Sequence, residues 1–125
     1  MNKLKVIQLL PELNIGGVER GTKDFSKALV KNGHESIVIS NGGIFEEDII
    51  KNGGKHIKLP IHKKSIFSLL LSKQLRLIYD QEKPDIVHVR SRMPAWINYH
   101  AFKRLTKKPI LISTFHGLYS TPLYS

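Results

Sequence analysis

Glycine, arginine and histidine residues occur in short loops where they could bind a phosphate group or a sugar. The first loop contains Gly16, Gly17 and, four residues after Gly16, Arg20; it follows the apolar run 6–10. Glycine lets a ligand approach bare backbone, and the N–H groups at the start of a following helix attract anions. A purely structural interpretation, a tight strand-to-helix turn, fits the same glycine pair. The pair lacks the third glycine of a dinucleotide fingerprint and the Lys-Ser/Thr of a phosphate loop.

Two later loops carry the other candidate groups. Arg90, Ser91 and Arg92 follow the fourth predicted strand, and His116 and Gly117 follow the fifth. Arginine holds phosphate through two parallel hydrogen bonds, and histidine can bind a hydroxyl or act as a base near neutral pH. Ligands of open parallel sheets bind beyond the carboxyl ends of the strands, so we expect these loops to converge on one edge. Solvated loop charges are an equally good interpretation of the two arginines.

The elements that position these loops alternate between strand and helix. Short apolar or β-branched runs predict strands, and segments with helical spacing lie between them. The predicted strands are 6–10, 36–40, 56–59, 85–89 and 110–114, and the predicted helices are 18–31, a short helix from Glu46, 65–82 and 94–105. This order predicts an α/β fold: a Rossmann-like parallel sheet of about five strands with helices on both faces.

Helical spacing also predicts which side chains pack on the sheet. The stripe expected for helix 18–31 is Val18, Thr22, Phe25 and Leu29. The stripe expected for helix 65–82 is Phe67, Leu71, Leu75 and Ile78, widened by Ile66, Leu70 and Leu77, with Leu69, Lys73 and Arg76 facing water. Acids at 46–48 suit the positive end of the short helix, so capping is favoured for them over acid/base chemistry.

The composition limits the classes of function. At 125 residues the chain is one domain with room for a single core. Its 20 Lys and Arg against 10 Asp and Glu give a formal charge of +10, which favours nucleic acid, an acidic membrane surface or a phosphorylated substrate. The basic residues are spread along the chain without an RNA-recognition aromatic motif or zinc-finger spacing, so nucleic acid is the least favoured partner.

Several other classes find no support in the sequence. No apolar run approaches the roughly 20 residues of a membrane-spanning helix. The N-terminal stretch does not match a signal peptide, because Glu12 and Asn14 interrupt its apolar run. We therefore expect a cytoplasmic protein. The absence of cysteine excludes disulfides and thiolate chemistry. No Ser-His-Asp arrangement can be argued, His88 is interpreted as a core histidine, and no histidine has metal-ligand spacing with carboxylates, so no metal or other cofactor is expected.

Three segments resemble a known enzyme family. Residues 9–40, LLPELNIGGVERGTKDFSKALVKNGHESIVIS, resemble the opening of a GT-B-fold retaining glycosyltransferase, from the large family that includes lipopolysaccharide-core and phosphatidylinositol mannosyltransferases. Residues 85–96, DIVHVRSRMPAW, and 109–120, PILISTFHGLYS, resemble that family's fourth and fifth strands with their loops. The resemblance covers essentially the whole chain and implies the N-terminal, acceptor-side half of a GT-B fold.

The resemblance implies roles for the loop residues. Gly16 and Gly17 would lie against the donor diphosphate and the acceptor, and His116, beside Gly117, would bind near the transferred sugar or the acceptor hydroxyl. Arg90, Ser91 and Arg92 would line the acceptor side. Arg20 is counted with the substrate-binding residues because of its place at the carboxyl edge, not through the resemblance. The family transfers a sugar from a nucleotide-sugar with retention of configuration, generally without a divalent metal. The implied acceptor is a lipid-linked molecule or a saccharide of cell-envelope glycan or glycolipid synthesis, such as lipopolysaccharide.

The resemblance also implies an incomplete site. The family takes most donor contacts from a C-terminal Rossmann-like domain, so residues 1–125 are expected to be one truncated acceptor-binding domain that needs a C-terminal domain or a partner chain. A one-sided cleft cannot enclose a nucleotide-sugar or order both reactants, so the chain alone is expected to be inactive. The alternative is a stand-alone basic Rossmann-like module that binds an anionic membrane or a protein partner; a peripheral position on the inner membrane face is compatible with both.

Overall fold

The structure is a computed structural model of the chain. It describes residues 3–10, 13, 17–60, 68–90, 101–103, 105 and 107–113, without the side chains of 68–70. In chain order the elements are β1 (Lys5–Leu9), α1 (Gly17–Lys31), β2 (Glu35–Ser40), α2 (Glu46–Lys51), β3 (Lys55–Lys58), α3 (Ser68–Glu82), β4 (Ile86–Val89) and β5 (Ile110–Ser113). The predicted order is confirmed, with strand bounds that shift by one residue. Residues 61–67 and 91–100 lie outside the described part; Ala101 and Phe102 are helical.

The strands form a parallel sheet with β1 at its centre. The order is β3-β2-β1-β4-β5, and every neighbouring pair is parallel. Parallel neighbours need long crossovers, which explains why helices alternate with strands along the chain. The predicted α/β Rossmann-like sheet is therefore confirmed. Because all strands run the same way, their carboxyl ends meet at one edge, where the loops with candidate site residues begin.

The two faces of the sheet differ in chemistry. Ile7 and Leu9 of β1 and their neighbours on the adjacent strands belong to an apolar core that packs against α3. The fully or nearly buried side chains of this core are Ile7, Leu9, Ile37, Ile39, Val87, Val89, Leu71, Leu75, Tyr79, Ala101 and Leu105, with Leu59 beside them. A smaller apolar cluster, formed by Leu10, Leu13, Val38, Phe45 and Ile49, lies with α2 and the loops on the other side.

Helix α1 packs on a polar strip of the sheet. Ser26 and Ser36 share a buried hydrogen bond of 2.6 Å, and Gln8 Nε2 donates to Thr22 O at 3.2 Å. The buried positions of α1 are thus Thr22, Ser26 and Leu29. The prediction for Phe25 was wrong, since its side chain is 40% exposed. The helix turns toward the polar strip because these groups can satisfy one another there, and the bulky ring is left at the margin.

Helix α3 buries a stripe of Leu71, Leu75 and Tyr79. Tyr79 meets Phe102 edge to face, with ring centroids 5.2 Å apart, and its burial raises the pKa of the phenol. The prediction for Leu77 was wrong: it is 53% exposed. Leu77 is two residues after Leu75, which places it about 200° further around the α-helix, on the side away from the sheet. Phe67 and Ile66 lie outside the described residues, as do the side chains of Leu69 and Leu70.

The contrast within α3 gives a direct test of the packing. We expect Leu75→Ala to lower the free energy of unfolding by about 2–5 kcal/mol, because it opens a cavity in the main core. Leu77→Ala is the matched control, since it removes the same atoms from a side chain that faces water, and it should change stability by less than about 0.5 kcal/mol. Urea unfolding of both variants decides the point; equal losses would contradict the described orientation of α3.

Candidate substrate site at the carboxyl edge of the sheet

Gly17 is the first residue of α1 and lies at the carboxyl edge of β1. It is exposed, and a Cβ placed on it would meet no atom within 4 Å. It is also absent from the described glycines with positive φ, which are Gly33, Gly42, Gly43 and Gly53. Neither backbone conformation nor packing among the described residues therefore requires glycine at position 17. The ligand-binding role of Gly17 stays a prediction, in which its N–H at the start of the helix would face an anion.

Arg90 leaves β4 at the same edge and is anchored there by β1. Its backbone N–H donates to Leu9 O at 2.9 Å, and its Nε donates to Gln8 Oε1 at 2.6 Å. Gln8 is 0% exposed, and its amide nitrogen donates to Thr22 O. A buried amide thus ties the guanidinium to the central strand and to α1 at once. Arg90 is half-buried and hydrogen-bonded, so the interpretation as a solvated loop charge does not hold for it.

The guanidinium of Arg90 lies against the first half of α1. Its carbon is 5.6 Å from the centre of the Phe25 ring, and Nη1 is 3.8 Å from the position a Cβ would take on Gly21. Burial lowers the pKa of Arg90, but a guanidinium stays charged at neutral pH. The structure therefore holds a positive charge against α1 at Gly21 and Phe25, in the middle of the helix that begins at Gly17.

The other predicted site residues are less constrained by the structure. Arg20 lies on α1 with its side chain exposed, one turn after Gly17. The remaining ones, Gly16, Ser91, Arg92, His116 and Gly117, lie outside the described residues. The strands before them, β4 and β5, run parallel to β1 and end at the edge where Gly17 lies. Their roles stay predictions.

A second group of polar side chains, which the sequence analysis missed, joins β2, β3 and α2. Ser40 Oγ is 2.7 Å from His56 Nε2, and His56 Nδ1 is 3.4 Å from Glu46 Oε1. Sequence spacing could not show this, because it depends on the register that sets His56 beside Val38, two residues before Ser40. The predicted acids do lie in the first turn of α2, at its positive end, but Phe45 is the N-cap residue and no side chain makes a capping hydrogen bond. Glu46 faces His56 instead.

The order carboxylate, imidazole, hydroxyl is that of a serine hydrolase, but its setting is not. Ser40 is 0% exposed, and the His56 side chain is 1% exposed, so no substrate carbonyl can reach the hydroxyl. Burial is the main cause that lowers the pKa of His56, helped by Lys58 and opposed by Glu46. The imidazole is therefore neutral at pH 7. With its Nδ1 facing Glu46, the tautomer that carries the proton there leaves Nε2 to accept from Ser40.

The opposite, amino edge of the sheet carries a different arrangement. Lys5 lies 3.3 Å from both Glu35 and Glu82, Lys3 pairs with Glu35, and Lys55 pairs with Glu82 at 2.8 Å. Hydrogen bonds from these lysines lower the pKa of Glu35 and Glu82. The charged side chains of this edge therefore pair with each other, and these ion pairs join β1, β2, β3 and α3. The carboxyl edge is the better candidate for substrate binding.

Within the described ranges, two further kinds of site are not found. No group of three His, Cys, Asp or Glu side chains there could hold a metal ion. None of the described helices is long and apolar enough to span a membrane.

Solved structures define the class of protein. Over 99% of its length the chain superposes on a glycosyltransferase from Rickettsia africae ESF-5 with a TM-score of 0.82 and 38% identity, covering 32% of that chain. Over 100% of its length it superposes on CalG4, the calicheamicin glycosyltransferase, with a TM-score of 0.53 and 16% identity, covering 35% of that chain; this second likeness concerns the fold alone. The chain has the fold of the N-terminal domain of a GT-B glycosyltransferase and spans about a third of each structure.

The family follows from the sequence match. The model of Glycosyltransferase Family 4 matches residues 15–125. The chain belongs to this family. No curated protein matches the sequence significantly. The resemblance to a GT-B glycosyltransferase is therefore confirmed.

The link between Gln8 and Arg90 can be measured by a double-mutant cycle. We expect Gln8→Leu to cost about 1–3 kcal/mol, because it leaves the guanidinium Nε and the Thr22 carbonyl without this partner. Arg90→Met in the Gln8→Leu background should cost less than in the parent protein, since the shared bond is already gone. Urea unfolding of the four proteins gives the coupling energy. Strictly additive losses would show that the two side chains do not depend on each other.

Buried His56 predicts a pH dependence of stability. Its folded pKa lies below the ordinary value, so the unfolded chain takes up the proton first, and stability should fall as pH drops below about 6.5. The slope of this loss is at most about 1.4 kcal/mol per pH unit for one group. Carboxylates with lowered pKa, Glu35, Glu82 and Asp85, act in a lower window, below about 4.5. Thermal unfolding between pH 7 and 5 should show the loss, and His56→Gln should remove it; an unchanged profile in this variant would contradict the assignment.

Proposed function

We propose that this chain forms the acceptor-side wall of the active cleft in a glycosyltransferase that moves a sugar from a nucleotide-sugar to an acceptor. Membership of Glycosyltransferase Family 4 carries this proposal. The exposed Gly17 at the start of α1 and the anchored charge of Arg90 against the same helix, at Gly21, support it. A diphosphate or a polar sugar is the kind of group that a helix N-terminus and a guanidinium bind together.

The proposed roles in catalysis are divided between binding and charge stabilisation. Arg90 holds and orients an anionic or hydroxyl-rich group, and its anchoring on Gln8 removes the cost of ordering a free arginine at the moment of binding. His116 is the catalytic residue of the proposal, close to the transferred sugar or the attacking hydroxyl. Donor phosphate assists deprotonation of that hydroxyl in a front-face, retaining displacement. His116 therefore stabilises charge and does not act as the base. No metal is assigned to this reaction.

The net charge of the chain is the basis for the proposed acceptor and for the proposed position at a membrane. A lipid-linked or saccharide acceptor of cell-envelope synthesis, bound by a cytoplasmic protein on the inner membrane face, suits a chain of net charge +10. Anionic head groups attract basic surfaces over about a Debye length. The specific sugar transferred, a hexose in this proposal, is to be found with a donor panel.

We propose further that the rest of the cleft comes from additional polypeptide. Every residue of β5 is exposed, including Ile110 at 65%, Leu111 at 46% and Ile112 at 41%. Parallel sheets are almost always covered on both faces, so an apolar strand left open on this scale favours more polypeptide beside it. The share of about a third in the glycosyltransferase structures agrees with this.

A stand-alone module that docks on anionic membrane or a protein partner is the second candidate function. Exposed Leu77 with Lys73 four residues before it on α3 favours it, since an apolar and a basic side chain on one helix surface suit a bilayer interface. Sedimentation with phosphatidylglycerol vesicles at low salt separates the membrane element from the rest. Failure to bind such vesicles would remove that element from both candidates.

Transfer assays test the leading proposal. Residues 1–125 combined with a donor-domain partner, given a panel of UDP- and GDP-sugars with lipid and saccharide acceptors, should transfer sugar, whereas residues 1–125 alone should not. Arg90→Lys should lower kcat/KM by about tenfold or more, because lysine keeps the charge but loses the planar fork. Arg76→Lys on α3 is the matched control and should have no effect. Full activity of residues 1–125 alone would refute the incomplete cleft.

A further inference from the structure

Arg90 lies at the place in the sheet where the strand order reverses. Strands β2 and β3 lie on one side of β1, and β4 and β5 lie on the other. In open α/β sheets a crevice forms at this reversal, outside the carboxyl ends of the strands, and ligands bind there. Arg90 is the first residue after β4, and its Nε donates to Gln8 Oε1 of β1 at 2.6 Å. The arginine therefore connects the two strands that border the crevice.

The bond to Gln8 determines which edge of the guanidinium is available to a ligand. An arginine can hold an anion side-on, through Nε and one Nη, or end-on, through Nη1 and Nη2. Because the Nε–H donates to Gln8, the side-on arrangement is not available. Among the residues that the structure describes, none accepts a hydrogen bond from Nη1 or Nη2. The edge formed by these two nitrogens is therefore the part of Arg90 that can bind an anion.

Phe25 restricts the same guanidinium from a second direction. Its ring centre is 5.6 Å from the guanidinium carbon, although the side chain as a whole is 40% exposed. An aromatic face attracts a guanidinium and stacks on its plane. The single hydrogen bond at Nε leaves the plane free to swing about that bond, and contact with the ring limits this motion. The contact gives a function to a large apolar ring that the packing of α1 leaves at the surface.

We propose that Phe25 is a positioning residue that fixes the plane of the Arg90 guanidinium, so that Nη1 and Nη2 bind a phosphate group of the substrate end-on. The role rests on the proposed function, which supplies the phosphate group. An end-on edge fits two oxygens bound to one central atom, as in phosphate. Phe25 itself touches no substrate in this role. It acts through Arg90, because a guanidinium that is already oriented loses less freedom when the anion binds.

The side-chain N–H signals of Arg90 in the NMR spectrum of residues 1–125 test the ring contact without any need for activity. Phe25→Leu keeps an apolar side chain but has no ring current, so it should shift these signals, which Arg90→Lys identifies by their loss. Phe25→Tyr keeps the ring and should leave the signals near their parent positions. Leu77→Ala is the matched control, because it shortens an exposed apolar side chain on α3, against the opposite face of the sheet.

Titration with inorganic pyrophosphate at low salt tests the consequence for binding. The anion should shift the Nη–H signals of Arg90, while its Nε–H stays protected from exchange by the bond to Gln8. Phe25→Leu should raise the Kd by about two- to fivefold, the effect of one cation–π contact at an exposed site, and Phe25→Tyr should bind like the parent. Methyl phosphate is titrated in parallel, and the tighter probe indicates whether the site takes a diphosphate or a phosphate monoester.

The outcomes are distinguishable from a failure of the proposed function. Shifted Arg90 signals and weaker phosphate binding in Phe25→Leu, with Phe25→Tyr like the parent, support the positioning role even where no sugar is transferred. A lack of sugar transfer beside those results counts against the proposed function alone. The proposal would be overturned by Arg90 signals that do not change in Phe25→Leu, by an unchanged Kd in that variant, or by an Arg90 that responds to neither phosphate probe. Loss of Nε–H protection on binding would contradict the end-on geometry.

Discussion

A buried amide on the central strand is the contact on which the candidate site depends. Gln8 lies under α1, and its partners in the neighbouring strands are Val38 and His88. Its amide nitrogen donates to the helix backbone, and its amide oxygen accepts from Arg90. A polar side chain there is costly unless both ends are satisfied, so helix, strand and arginine must be placed together. The position of α1, and with it the helix start at Gly17, is fixed by the same contact that aims the guanidinium.

The two faces of the sheet divide the work of the domain. Large apolar side chains from β1, β2, β4 and α3 interdigitate on one face and supply most of the hydrophobic stabilisation. Apolar packing tolerates substitutions that keep volume, and it specifies orientation only loosely. The polar face buries less apolar surface, but its Ser26–Ser36 bond and the Gln8 contacts fix the rotation of α1 about its axis and its position along the sheet. Since the proposed site lies at the N-terminal end of α1, a fixed orientation of this helix also fixes the site.

Much of the fold could be predicted because it depends on local pattern. Short apolar runs between glycine and proline breaks give the strands, and their alternation with helices gives the parallel order of β1 to β5. Phe25 and Leu77 were misplaced because helical spacing defines a stripe but not how the helix is rotated on its neighbour. On α1 that rotation follows from polar groups on the sheet, which count as unfavourable in a hydrophobic pattern. The Ser40–His56 contact needs the β2–β3 register as well, and no spacing along the chain contains it.

The charge of the chain acts locally rather than as one field. At the amino edge three lysines and two glutamates compensate each other, so much of the local charge serves to join strands and α3. At the carboxyl edge Arg90 contacts an amide, an aromatic ring and the space above Gly21, none of which carries negative charge. A half-buried cation with neutral partners keeps its attraction for an incoming anion, because no fixed carboxylate among these contacts has already satisfied it. The asymmetry between the two edges is therefore a stronger argument for placing the proposed anionic substrate at the carboxyl edge than the net charge of +10 is.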